Sequence, residues 1–327
     1  MGIELALTKK AGELALAGDL DAAEAYASRS REDSTKRAYA ADWRAWSAWA
    51  ASRGVEPLGA DPALVAAFLA AEANDGRKPS TIQRRAAAIA TYHRAAGLDS
   101  PSSSEAVRST LRGIRRTLGT APAKKDAITP GELRAILPTG STLGDLRDRA
   151  LLLVGFASGL RRSELVALEV ADLEFLPQGI LASVRRSKTD QEGVGRLVEI
   201  EAVNGDACPV FALRRWVDVT GISSGPIFRH VTREGVVKDR LTAQSVALIV
   251  KRRATSAGID PDRFGGHSLR SGLATALAGA GLPEHEIQQA TGHRSVAVLR
   301  GYIRRGQAFS TKRASLVLSD YALPSEH

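Results

Sequence analysis

Tyr302 lies among arginines in the stretch GHRSVAVLRGYIRRG, nine positions after His293. The apolar residues between the two predict a short helix packed on a core. A phenol beside cationic side chains has the residue types needed for nucleophilic attack. On this stretch alone, however, a buried structural tyrosine is the better interpretation.

A second pair of chemically capable residues lies in FGGHSLRSGLATALAGAG, where His267 and Arg270 are three positions apart at the start of a helix. Such a spacing places both on one face. The helix behind them is almost entirely Ala, Leu and Gly, which predicts burial. Because a helix N-terminus already favours anions, two cationic groups there indicate an anion bound between them. A serine-hydrolase elbow fits poorly, since the second glycine of G-x-S-x-G is missing.

Two further segments carry isolated polar residues. Arg161 follows a glycine-terminated helix and opens a short helix on which Glu164 lies three residues along. Lys188 lies in the loop RRSKTDQEG of a predicted β-hairpin. Singly, Arg161 is typical of a surface residue, Glu164 of a surface partner of a neighbouring arginine, and Lys188 of a solvated loop.

In this order and these contexts, the residues resemble the tyrosine recombinase (phage integrase) family, in its Cre-like form. GLRRSEL resembles the motif around the family's first arginine, HSLR its His-x-x-Arg, and GHRSVAVLRGYI its second histidine and nucleophile. Cre has tryptophan where this chain has His293. The resemblance extends over roughly residues 30 to 318. It assigns catalytic roles to seven residues: Arg161, Glu164, Lys188, His267, Arg270, His293 and Tyr302.

These residue types suit cleavage of a DNA phosphodiester without metal. The sequence has no obvious carboxylate cluster for paired Mg²⁺, so protein cations must compensate the phosphoryl charge. Arg161 and Arg270 stay charged and donate in pairs to non-bridging oxygens. Tyr302 would attack phosphorus, and with an unperturbed pKa of about 10 it needs a base or a cationic pocket. His267 is the candidate proton acceptor.

The other roles follow from the resemblance. It implies that Lys188 protonates the departing 5′ oxygen, that His293 hydrogen-bonds the phosphate, and that Glu164 orients His267 or a nearby arginine. The phosphotyrosyl ester would retain the energy of the broken linkage, so no ATP is required, and no phosphate-binding G-x-x-x-x-G-K-[ST] loop is present. We therefore expect no cofactor and no metal.

The composition favours a polyanionic partner. Lys and Arg outnumber Asp and Glu by 45 to 36, which gives a net charge of +9 and a pI near 9.9. Cys208 is the one cysteine, which excludes an intramolecular disulfide and a multi-cysteine zinc site. Without a leader pattern or a long apolar run, the sequence predicts a cytoplasmic protein with no membrane partner.

Helical periodicity and caps predict two domains, mainly α with a small β-sheet. Residues 1–30 form an extension, compatible with a loose helix or disorder, to which we assign no function. Residues 31–119 form an all-α unit of four helices, the first capped by Ser34, and residues 120–127 form a linker. The resemblance implies that this unit is the core-binding, DNA-binding domain. Residues 128–327 form an α+β domain with a β-hairpin and a last short helix, which the resemblance implies are the catalytic domain and its C-terminal exchange helix. The resemblance implies a C-shaped clamp around DNA.

Basic residues on the third and fourth helices predict contacts with DNA phosphates. They are Arg84, Arg85, Arg108, Arg112, Arg115 and Arg116. The resemblance implies double-stranded target sites, a dimer on each site, a homotetramer and a Holliday junction. The exchange helix would dock on a neighbouring subunit, with folding back on its own domain as the alternative. Two other functions remain open: a type IB topoisomerase and a catalytically silent DNA-binding protein.

Overall fold

The computed structural model describes residues 33–119, 125–185, 195–293 and 295–306. The chain divides into two compact units, one up to Ala123 and the other from Lys124. The predicted extension at residues 1–30, most of the predicted linker, Lys188 and the C-terminal exchange helix lie outside the described residues.

The first unit is built from four predicted helices. They are α1 (Asp33–Ala51), α2 (Pro62–Asn74), α3 (Pro79–Ala95) and α4 (Glu105–Leu118). The backbone N–H of Ala63 donates to the carboxylate of Asp61 over 2.7 Å, and Pro62 occupies the first turn of α2, as predicted. Helix α1 starts at Asp33, one residue before the predicted cap. The core centres on the fully buried Trp46 and Phe68.

The second unit surrounds a buried central helix. Its helices are α5 (Pro130–Ile136), α6 (Leu143–Ala157), α7 (Arg162–Ala167), α8 (Pro209–Thr220), α9 (Ala243–Ser256), α10 (Ser268–Gly279), α11 (Glu284–Thr291) and α12 (Val296–Gly306). Helix α6 carries four consecutive buried apolar residues at 151–154 and packs on α8 and α10. Thr129 and Glu132 form the N-terminal capping box of α5.

A small antiparallel sheet contains the predicted hairpin. Strands β2 (Gly179–Val184) and β3 (Arg196–Glu201) pair with Val184 opposite Arg196. Strand β1 (Leu173–Leu176) pairs with β2 on its other edge. A separate two-stranded sheet contains β4 (Arg229–Val231) and β5 (Val237–Arg240). Strands β1, β4 and β5 were not predicted, because each is only three or four residues long and largely solvent-accessible.

The last three described helices form a small core that carries the candidate nucleophile. Ala274 and Ala278 of α10, Ile287 of α11 and Leu299 of α12 are buried together, and Tyr302 packs against them. Its phenol is therefore anchored on one side by apolar contacts. The predicted fold class, mainly α with a small β-sheet, is confirmed.

Candidate active site

Arg270 ties two loops of the second unit together. It is 5% exposed. Its Nη1 donates to the carbonyl of Gly159 over 2.7 Å, and its Nη2 donates to the carbonyl of Gly292 over 3.1 Å. The predicted bound anion between His267 and Arg270 is therefore not needed to explain the buried charge, since two backbone carbonyls accept from it.

Both glycines adopt left-handed backbone angles, with φ of +57° at Gly159 and +63° at Gly292. A Cβ at Gly159 would lie 2.9 Å from the Leu273 side chain, and one at Gly292 would lie 2.8 Å from the guanidinium carbon of Arg196. Only glycine meets both the backbone and the packing requirement. The two turns therefore bring their carbonyls within reach of one guanidinium.

Glu164 is a buried carboxylate between two guanidiniums. Nη1 of Arg161 lies 2.5 Å from Oε1, and the backbone N–H of Arg161 donates to Oε2 over 3.0 Å. Nη2 of Arg196 lies 3.5 Å from the same Oε2. With 3% exposure, Glu164 is not a surface partner of Arg161. It neutralises part of the charge and fixes the first turn of α7.

Arg196 was missed by sequence reasoning. It starts β3, and its side chain lies on the same face as the buried Val198 and Ile200. An arginine at the start of an alternating strand normally indicates the solvated end. Its position in phase with the apolar residues was the signal that could have found it.

The guanidiniums of Arg161, Arg196 and Arg270 form an arginine cluster in which the charges repel one another. The pKa of Arg270 is lowered to about 10, mainly by burial and also by the charges of Arg161 and Arg196, while the charge of Glu164 acts in the opposite direction. Arg270 nevertheless remains charged at neutral pH. Three guanidiniums opposite one carboxylate leave this cluster with excess positive charge, a condition suited to an anionic ligand.

His293 lies between the arginine cluster and the tyrosine. Burial and, after it, the charges of Arg270, Arg161, His267 and Arg196 together lower its pKa to about 4. Its ring centroid is 5.8 Å from that of Tyr302, at an interplanar angle of 50°. The imidazole is therefore neutral at pH 7 and close to the phenol.

The structure thus brings together six of the seven predicted catalytic residues. His267 is the N-terminal cap of α10 and is exposed, and its charge acts on His293. Lys188 belongs to the β2–β3 connection outside the described residues. Within the part of the chain that the structure describes, no group of three His, Cys, Asp or Glu side chains is arranged for a metal.

The six arginines predicted to bind DNA differ in their surroundings. Arg84 makes a two-point interaction with buried Asp42 over 2.7 and 3.0 Å, and this hydrogen bond raises its pKa. Arg85 pairs with Glu72 over 2.5 Å and its side chain is only 12% exposed. Arg108 and Arg112 pair with exposed Glu105. Arg115 and Arg116 are exposed, with no ion pair to the described residues.

The chain is similar in sequence to known proteins. Residues 126–308 match the phage integrase family, and residues 24–98 match the N-terminal SAM-like domain of phage integrases. The chain belongs to the phage integrase family of tyrosine recombinases. An integrase/recombinase XerD homolog of Selenomonas ruminantium is 38% identical over 288 residues, which cover 86% of this chain and 84% of that protein. The recombinase Cre of Escherichia phage P1 is 26% identical over 284 residues, covering 80% and 81%.

Solved structures of related enzymes share the fold. A lambda integrase dimer bound to a COC′ core site superposes with a TM-score of 0.60 at 20% identity, covering 88% of this chain and 94% of that chain. The XerH site-specific recombinase bound to a palindromic difH substrate gives 0.56 at 19% identity, covering 80% and 73%. This tyrosine recombinase is an enzyme of site-specific DNA cleavage and rejoining, as the sequence predicted. No helix among its described residues is long and apolar enough to cross a bilayer.

Proposed function

We propose that this tyrosine recombinase cuts and rejoins DNA through a covalent 3′-phosphotyrosyl intermediate on Tyr302 and a Holliday junction, without metal or ATP. The observation that carries the proposal is the proximity of Tyr302 to His293, Arg270 and their cationic neighbours. A phenol needs such surroundings to act as a nucleophile, and a transferring phosphoryl group needs them to offset its charge.

The guanidiniums have donors left for a phosphate. A guanidinium carries five N–H donors, of which Arg270 uses two on carbonyls and Arg161 one on Glu164. The remaining donors suit the two non-bridging oxygens of a phosphodiester. Because the carbonyl contacts fix Arg270 beforehand, little reorganisation accompanies DNA binding.

The reaction balances without an external energy source. Tyr302 Oη would bond to phosphorus while the bond to the 5′ oxygen breaks, and we assign protonation of that oxygen to Lys188. The imidazoles of His267 and His293 are the candidates to accept the phenol proton and to hydrogen-bond the phosphate. A free 5′-hydroxyl of another strand then attacks the phosphotyrosine, which restores a phosphodiester and releases Tyr302.

We further propose double-stranded DNA target sites, a dimer on each site and a homotetramer. In support, a groove of about 630 Å³, lined by apolar residues together with several charged ones, lies among α5, α6, β3, α10 and α11 of the second unit. Its lining includes Leu133, Phe156, Leu273 and Leu277. The proposed occupant is the apolar C-terminal segment of a neighbouring copy; insertion of the chain's own segment is the alternative. Arg115 and Arg116 are the best placed of the predicted phosphate contacts.

The test is capture of the covalent adduct. The full chain is incubated with plasmids carrying candidate sites, with chelator and without ATP, and protein-linked DNA is measured after denaturation. Tyr302→Phe should abolish the adduct, whereas Tyr92→Phe, the same change in the first unit, should retain it. An adduct that persists in Tyr302→Phe contradicts the proposal. Site-dependent inversion or excision distinguishes a recombinase from a topoisomerase, which would only relax supercoils.

A further inference from the structure

We infer that Thr291 is a positioning residue that holds His293 as the tautomer protonated on Nδ1, so that Nε2 takes the proton of Tyr302. The tautomer follows from hydrogen bonding alone. Its use in proton transfer rests on the proposed function. The resemblance implied that His293 donates a hydrogen bond to the phosphate, and His267 was the candidate acceptor for the proton of Tyr302. With Nδ1 protonated, His293 instead accepts that proton.

The hydroxyl of Thr291 has two close partners. Its Oγ1 lies 2.5 Å from the carbonyl oxygen of Ile287 and 2.6 Å from Nδ1 of His293. A carbonyl oxygen only accepts, so the single hydroxyl proton of Thr291 must point to Ile287. Oγ1 therefore meets Nδ1 with a lone pair, and the proton in that contact belongs to His293 Nδ1.

Packing holds the hydroxyl in this arrangement. Thr291 is fully buried. It ends helix α11, and its Cα and Cγ2 would lie 3.4 Å from a Cβ on Gly159, so it packs directly beneath that turn. The hydroxyl cannot turn to solvent for another partner, and both of its contacts are satisfied where it is. By accepting a hydrogen bond from Nδ1, the Thr291 hydroxyl fixes the tautomer and orientation of the His293 ring, as buried acceptors commonly do for histidines.

The consequence concerns the other ring nitrogen. A neutral imidazole with a proton on Nδ1 has only a lone pair on Nε2, so it accepts a hydrogen bond and cannot donate one to a phosphate oxygen. The ring of Tyr302 lies 5.8 Å away between centroids, and its phenol is the proton donor that we assign to this nitrogen. In the step, the Oη–H bond of Tyr302 breaks as an Nε2–H bond forms, and the phenolate attacks phosphorus. The resulting imidazolium is then a donor to the phosphoryl oxygens.

DNA itself would make His293 a better base. Among the described residues, the charged or polar groups that act on it or lie against it are Arg161 before α7, Arg196 on β3, His267 and Arg270 at α10, and Tyr302 on α12. Most of them are cations, which oppose protonation of the imidazole. A bound phosphodiester adds negative charge among the cations and removes part of that opposition. The proton transfer is therefore less opposed when substrate occupies the site.

The tautomer is measured without DNA, so its test is independent of the proposed function. The DNA-free full chain is labelled with ¹⁵N-histidine, and long-range ¹H–¹⁵N spectra are recorded at pH 7, where the two nitrogens of each neutral tautomer differ in shift. Loss of one signal pair in His293→Gln assigns the residue among the six histidines. We expect a protonated Nδ1 and an unprotonated Nε2 in the wild type. A protonated Nε2 overturns the inference.

Two substitutions test the part played by Thr291. Thr291→Ser keeps the hydroxyl and should keep the wild-type tautomer, whereas the near-isosteric Thr291→Val should shift His293 towards a protonated Nε2. An unchanged tautomer in Thr291→Val overturns the role of Thr291. If that variant fails to fold, the wild-type spectrum and Thr291→Ala decide the same question.

Adduct formation then tests the proton transfer. In single-turnover assays at saturating DNA, Thr291→Val should form the Tyr302 adduct roughly tenfold to a hundredfold more slowly, in line with partial loss of general-base catalysis. Thr291→Ser should restore the rate. A wild-type rate in a Thr291→Val protein whose tautomer has changed contradicts the proposed proton transfer while leaving the proposed recombinase function intact.

Discussion

Replacement of Glu164 by glutamine tests whether the arginine cluster depends on one buried carboxylate. The Glu164 side chain is 1% exposed, and its guanidinium partners Arg161 and Arg196 are 15% and 26% exposed. Glutamine preserves the shape and an acceptor oxygen but removes the charge. Three guanidiniums would then lie together without a compensating carboxylate.

The size of the effect follows from burial. Removing one partner of a buried ion pair costs about 3–5 kcal/mol. The amide oxygen of glutamine can still accept from the backbone N–H of Arg161, which now donates over 3.0 Å, and such a hydrogen bond contributes about 1 kcal/mol. We therefore expect Glu164→Gln to lower the free energy of unfolding of the second unit by about 2–4 kcal/mol.

The assay is urea unfolding followed by circular dichroism, with the two units fitted separately. Glu284→Gln is the matched control, because it makes the same change in the same unit at an exposed ion pair, 3.0 Å from Arg300; its cost should be at most about 1 kcal/mol. Added sulfate should stabilise Glu164→Gln more than the wild type, since an anion that binds only the folded state counteracts the unpaired charge. A stability within about 0.5 kcal/mol of the wild type would refute this account of Glu164.

Further predictions concern backbone, pH and DNA. Gly159→Ala should lower the free energy of unfolding, measured in urea, by about 1–3 kcal/mol. The alanine would have to adopt a φ of +57° and would place its Cβ 2.9 Å from the Leu273 side chain. The folded chain holds the pKa of His293 at about 4, below the ordinary 6.5. The unfolded state therefore binds the proton first, so wild-type stability should fall between pH 6.5 and 4 more steeply than that of His293→Gln. In the wild type, sulfate should raise that pKa in an NMR titration. Arg115→Ala should reduce the slope of log affinity for DNA against log salt by about 1.

Much of the secondary structure was predictable because it depends on local chemistry. Asp61 followed by Pro62 defines the start of α2, and Thr129 with Glu132 defines the start of α5. Alternating residues identified β2 and β3. Strands β1, β4 and β5 were missed, since strands of three or four residues are too short for a period-two pattern to stand out.

The site was predictable in membership but not in arrangement. Its motif residues could be identified from the sequence, because their order and local contexts resemble those of the family. The alternation of β3 places Arg196 in phase with buried residues but does not show that it contacts Glu164 on α7, and a threonine at 291 does not by itself show that its hydroxyl meets the ring of His293. The Arg196–Glu164 pairing arises from tertiary packing, on which short sequence patterns carry no information, whereas the Thr291–His293 contact depends on the exact turn that ends α11.

The arrangement also explains how so much positive charge persists in the absence of DNA. The sequence suggested that His267 and Arg270 need an anion between them. Instead, Arg270 is held by the carbonyls of Gly159 and Gly292, and Glu164 offsets its neighbours. The desolvation that lowers the pKa of Arg270 is thus offset in part by fixed dipoles and one carboxylate. A phosphodiester therefore binds to donors that are already oriented. Its negative charge neutralises the remaining positive charge of the site and is not required to position the donors.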